Sequence, residues 1–168
     1  MKKSVLMIFA LAMMLPFGNA SAQTVFTCEH FTVTLPDGFE ETWNSNDVLN
    51  AKVDADDVLF TATYSDESPD ANELEHYADN MEWMVKSREG GKVLSRTIEG
   101  NQIIIVSSYY NEWEDEDGQT HVDSQIDQHY LLLFPNEVCL IGKLGYPQDK
   151  AEVYDGMLPD IIKSFQLK

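Results

Sequence analysis

Two uninterrupted apolar runs, Ile103-Ile104-Ile105-Val106 and Tyr130-Leu131-Leu132-Leu133-Phe134, constrain the fold of this chain more than any other feature. Successive side chains of a strand point to opposite faces, so a run that is apolar at every position belongs to a strand covered on both sides. The turn Glu99-Gly100-Asn101 opens the first run, and Pro135-Asn136-Glu137 separates the second from a final strand, Val138–Leu144. Gln102–Trp113 and Gln119–Phe134 therefore read as the arms of a long central hairpin. One cover comes from a helix that follows Ser68-Pro69, with Asp70 and Glu73 as a capping box and Gly90-Gly91 as the stop. Its apolar residues Leu74, Tyr77, Ala78, Met81, Met84 and Val85 recur at helical spacing. A second cover is expected from Tyr154, Leu158, Ile161, Ile162 and Phe165, with a break near Gly156 and Pro159. Upstream, Thr24–Leu35 reads as one strand ending at the turn Leu35-Pro36-Asp37-Gly38. Phe39–Trp43, Val48–Val53 and Val58–Tyr64 continue as a meander. The fold class expected is α+β: a largely antiparallel sheet covered by helices on both faces, a three-layer α/β/α sandwich.

The amino-terminal segment has a separate purpose. Lys2 and Lys3 precede the mostly apolar stretch Ser4–Phe17, and Ala20-Ser21-Ala22 offers a small-residue cleavage site before Gln23. Residues 1–22 read as a cleavable signal peptide, and residues 23–168 as a single globular α+β domain, periplasmic or secreted. Cys28, the first cysteine, follows the bulky Val25-Phe26-Thr27, so no lipid attachment point is indicated and the mature form is expected to carry no membrane anchor. The whole chain has 11 basic and 29 acidic residues, and the leader holds two of the former and none of the latter. The mature charge is thus 9 − 29 = −20. Nucleic acids and anionic lipid surfaces both need basic patches, and the few Lys and Arg are scattered, so both are excluded as partners.

Leu35-Pro36-Asp37-Gly38-Phe39 after an opening strand, the long central hairpin and the closing Ile161-Ile162-Lys163-Ser164-Phe165 resemble the PsbP-like and DcrB-like fold group. That resemblance implies a small, exported or accessory protein without catalytic activity that binds another protein.

Motifs for chemistry are sparse. The chain has no G-x-S-x-G, H-E-x-x-H, P-loop, G-x-G-x-x-G or C-x-x-C, and no cofactor is called for. Cys28 and Cys139 are the one pair available for a disulfide, and two buried, reduced thiols are the equal alternative. His121, Asp123, Gln125, Asp127 and His129 alternate along one arm of the hairpin and so share a face. The two histidines would stand about 26 Å apart at roughly 3.3 Å per residue, so only the near pairs His121/Asp123 and Asp127/His129 are metal-ligand candidates. Glu112, Glu114, Asp115, Glu116 and Asp117 crowd the hairpin tip before Gly118. An EF-hand loop built on that glycine would need an oxygen ligand where Trp113 stands and a glutamate where Ser124 stands, so the tip is instead a candidate surface for a basic protein partner. The reading that follows is an exported, non-catalytic acidic envelope protein that binds another protein, in an accessory or inhibitor-like role. A weak divalent-cation binder and a hydrolase with an unrecognised site are the alternatives.

Overall fold

The computed structural model describes residues 23–168, and the signal peptide read into residues 1–22 lies outside the described residues. Strands β1 (Gln23–Thr27) and β2 (Phe31–Pro36) form a hairpin, followed by the meander β3 (Glu40–Asn44), β4 (Val48–Val53) and β5 (Val58–Ser65). Helix α1 (Leu74–Lys86) leads into four further strands, β6 (Lys92–Glu99), β7 (Gln102–Glu114), β8 (Thr120–Phe134) and β9 (Val138–Pro147). The chain closes with α2 (Ala151–Tyr154), α3 (Leu158–Ser164) and β10 (Gln166–Leu167). Seven strands make one antiparallel sheet in the order β3-β4-β5-β9-β8-β7-β6, and β1-β2-β10 make a second.

The three-layer sandwich with helices on both faces is not what forms. One face of the large sheet is covered chiefly by the small sheet, with α3 packed on β2. The cause is local. Cys28-Glu29-His30 is a turn, with the Cys28 N–H donating to the Phe31 carbonyl at 2.9 Å and the Glu29 N–H donating to the Asn46 carbonyl at 3.2 Å. The expected single strand Thr24–Leu35 is therefore two, and β2 turns Phe31, Val33 and Leu35 inward, each fully buried. They meet Leu49, Phe60, Tyr130, Leu140 and Leu144 from the large sheet and Leu158, Ile161 and Phe165 from the carboxy-terminal segment. Burying such side chains contributes about 1.5–3 kcal/mol each. An apolar run demands a cover but does not say whether a helix or another sheet supplies it.

On the opposite face α1 packs over β6 and β7, where Leu74 and Ala78 meet Ile103, Ile105, Leu131 and Leu133. Asp70 caps its start by accepting the Asn72 N–H at 2.8 Å, but the first turn, Ala71–Glu73, is 3-10 rather than α. Beyond β8 only the end of β9 at Cys139 is covered on that face, and Trp43, Leu59 and Ile141 are exposed there. In the carboxy-terminal segment Asp155-Gly156-Met157 separates α2 from α3, as the glycine and Pro159 predict. No helix of the described residues is long and apolar enough to cross a membrane.

Candidate functional site

The central hairpin outgrows its sheet. Pairing of β6 with β7 stops at Lys92 opposite Ser108, and pairing of β9 with β8 stops at Gln125 opposite Pro147. Beyond these points Tyr110–Glu114 and Thr120–Ser124 pair as strands only with each other, as a two-stranded ribbon tied to the body at its root by the Tyr110 N–H to the Glu89 carbonyl. An isolated two-stranded hairpin is marginal in water, so the ribbon needs cross-strand support. Trp113 lies directly opposite His121, and their rings stack at 4.4 Å between centroids with 15° between planes. The Trp113 indole N–H donates to Asp123 Oδ2 at 2.8 Å, and His121 Nε2 lies 2.7 Å from Asp115 Oδ2.

The tip is built around Asp115. Its Oδ1 accepts the backbone N–H of Asp117 at 3.0 Å and that of Gln119 at 2.9 Å, and Gly118 takes the left-handed conformation (φ +74°) that closes the turn. His121 first, and then these amides, hold the Asp115 carboxyl below the usual carboxylate range. The five acidic residues of the tip therefore divide. Asp115 is committed to the turn, while Glu112, Glu114, Glu116 and Asp117 are exposed. Tyr110, Trp113 and Val122 add exposed apolar surface to the same ribbon.

The two candidate metal-ligand pairs lie apart, and among the described residues neither gains a third ligand. His121 and Asp123 serve the ribbon as described, whereas Asp127 and His129 lie in the body of the sheet. Asp127 is 1% exposed, and its Oδ2 is 3.0 Å from Arg88 Nη1, 3.4 Å from Lys143 Nζ and 3.5 Å from His129 Nε2. Burial by itself would raise its carboxyl, but His129, Lys143 and Arg88 together outweigh that and hold it below the usual range. Arg88 also stacks over the Tyr109 ring at 4.5 Å, and burial and then Asp127 push the Tyr109 hydroxyl up. A side chain at Gly145 would meet Asp127 Oδ1 at 2.8 Å, so the glycine makes room for the carboxylate. Cations already surround Asp127, which leaves it serving as an internal counter-charge. Among the described residues no three His, Cys, Asp or Glu converge as a metal would require.

The disulfide is not formed. Cys28 lies in the core between the two sheets and Cys139 in the core beneath α1, on opposite faces of the large sheet, and both are free and buried. The Cys28 thiol donates to Asn44 Oδ1 at 3.3 Å and the Cys139 thiol to the Glu67 carbonyl at 3.4 Å, and burial pushes both thiols up.

No family profile matches the chain, and no curated protein matches it. A crystal structure of a Bacteroides thetaiotaomicron VPI-5482 protein at 1.50 Å resolution aligns with 82% of this chain at 9% identity and a TM-score of 0.46. The chain spans 45% of that structure's length.

Sequence reasoning treated Trp113 only as a residue that spoils a calcium loop. Its role as the ribbon's clamp was within reach, because counting back from a turn centred on Asp117 places residue 113 opposite residue 121. Arg88 and Lys143 carried no such signal, since they reach Asp127 from a loop and from another strand.

Proposed function

We propose that this is an exported, non-catalytic acidic protein that binds another protein of the cell envelope through the β7–β8 ribbon. The observation that carries the reading is the two-stranded ribbon itself. It contributes little to either core, yet it is braced by an aromatic stack and a carboxylate-centred turn, and it presents four exposed carboxylates beside exposed Tyr110, Trp113 and Val122. Aromatic anchors beside a charged rim are the composition of a protein-binding surface. The likeness of the opening strand, Leu35–Phe39 turn and closing segment to the PsbP-like and DcrB-like group supports the same class of function. The acidic rim selects a basic partner and acts mainly on the association rate.

A photo-crosslinking residue at Glu116, compared with one at the remote Lys163, tests this in envelope extract. A discrete adduct from position 116 alone is expected. Its association rate should fall with salt and should drop further when Glu112, Glu114, Glu116 and Asp117 are replaced by their amides, with Asp115 left intact because it builds the turn. Adducts at both positions alike, or rates insensitive to the amide replacements, would place the binding surface elsewhere.

A further inference from the structure

Beside the root of the ribbon, β9 leaves the sheet at Pro147 and turns through Gln148–Lys150 into α2, while β8 runs on for five more residues. The place that a longer β9 would occupy is open. It forms a cleft of about 710 Å³ between Val122–Gln125 on one side and the β4–β5 turn Asp54–Asp57 on the other, floored by Pro147–Lys150. Thr120–Ser124 has β7 on one flank and no strand on the other, so half of its backbone N–H and C=O groups are unpaired by the sheet. The opposite edge of the ribbon is partly closed, because the Tyr110 N–H donates to the Glu89 carbonyl at 3.1 Å.

From this geometry we infer that the outer edge of β8 takes up an extended, basic segment of another protein as an added strand in the place β9 vacates. The inference rests on the protein-binding reading above and names the edge and the partner's chemistry. Two independent observations support it. The first is Gln125, which is 8% exposed and lines the cleft. Its side-chain amide makes no hydrogen bond among the described residues, whereas the buried Gln128 amide donates to Tyr146 Oη at 2.6 Å and to the Asp155 carbonyl at 3.2 Å. Among the described residues no side-chain N or O without a partner is sealed from solvent, so the Gln125 amide is open to the cleft, and a strand laid along β8 would exchange its water for backbone donors and acceptors.

The second is charge. Five carboxylates, Asp54, Asp56, Asp57, Asp123 and Asp149, face the cleft; Asp56 is held by Lys150 at 2.7 Å and Asp54 by Lys52, which lies outside the lining, at 2.5 Å. Asp57 and Asp149 have no ion-pair partner among the described residues. Lysine or arginine side chains of an added strand would supply the missing charge. A second copy of this chain, at −20 overall, would not.

The test uses the full mature protein and a ten-residue peptide alternating lysine and threonine, at low and moderate salt. Expected are slowed hydrogen exchange at the outward amides of Thr120–Ser124, a shifted Gln125 side-chain amide signal, and weaker binding as salt rises. The same peptide with alternate backbone amides methylated keeps every charge but loses strand pairing, and should bind about tenfold more weakly or worse. Gln125→Leu should weaken binding by about three- to tenfold, the worth of one hydrogen bond. Equal binding by the two peptides, or an absence of protection in Thr120–Ser124, overturns the inference. If the crosslink from position 116 succeeds while the peptide leaves β8 unprotected, the edge proposal fails and the ribbon reading stands. Failure of both experiments rejects both.

Discussion

At Asp127 the cost of burying a carboxylate is offset by Arg88, Lys143 and His129, and an isosteric change separates the charge from the shape. Asp127→Asn should lower stability by about 1–3 kcal/mol, because it leaves two cations beside a neutral group. The penalty falls below the roughly 3–5 kcal/mol that breaking a fully buried pair costs, since Arg88 is half-exposed and can turn to water. The sign of the pH dependence follows from the direction of the shift. With its folded value depressed, Asp127 contributes fully above the unfolded carboxylate value near ~3.9, and that contribution is lost as pH falls toward the folded value. Acid titration of unfolding should therefore show a steeper low-pH limb in the native protein than in the variant. The cysteines give a simpler measurement: thiol titration of the unfolded, unreduced protein should find two free thiols, and a count of zero would contradict their placement on opposite faces of the sheet. How far the residue scale could be read in advance differs from group to group. Strand alternation put His121, Asp123, Gln125, Asp127 and His129 on one face, and the register with Trp113, Asn111, Tyr109, Ser107 and Ile105 shows the same pattern. What alternation does not encode is how much of that face is covered, so it could not separate the exposed Asp123 from the buried Asp127.

Among the elements, the ribbon is the one whose integrity turns on a single side chain. Trp113→Ala removes both the stack on His121 and the hydrogen bond to Asp123, which cross-strand pairs value at about 0.5–1 kcal/mol. Amides of Tyr109–Ser124 should exchange faster in this variant while those of β4, β5 and β9 keep their protection; uniform loss of protection would mean that the ribbon is part of the core. Other elements were legible to different degrees. The stripe Leu74–Val85 and the glycines after it mark α1 clearly, yet Tyr77 and Met84 are exposed because the helix sits over β6 and β7 and leaves most of the rest of that face bare. The β1–β2 turn was missed because Cys28-Glu29-His30 contains neither glycine nor proline, and its shape is set partly by the distant Asn46 carbonyl. From that one missed turn comes the error in the layer count.

For the whole molecule the strongest electrostatic influence is the excess of 29 acidic over nine basic residues in residues 23–168. Self-repulsion opposes compaction, and salt screens it over about 8–10 Å at 0.1–0.15 M. The thermal midpoint should rise as salt is added from low ionic strength, by about 2–4 °C for each kcal/mol relieved; a falling midpoint would show that ion pairs such as those of Arg96 with Asp79 and Glu82 outweigh the repulsion. The small sheet has a consequence for the order of events during folding. β2 is flanked by β1 and by β10, and Phe165, just ahead of β10, packs its ring against Phe31, Phe60 and Tyr130. The piece that pins the main core thus follows every strand of the large sheet along the chain. A chain that emerges amino end first would wait with the apolar floor of its large sheet uncovered until residues 165–168 follow. During that wait the mutual repulsion of its carboxylates, a burden on the finished fold, would keep neighbouring unfinished chains from sticking to one another.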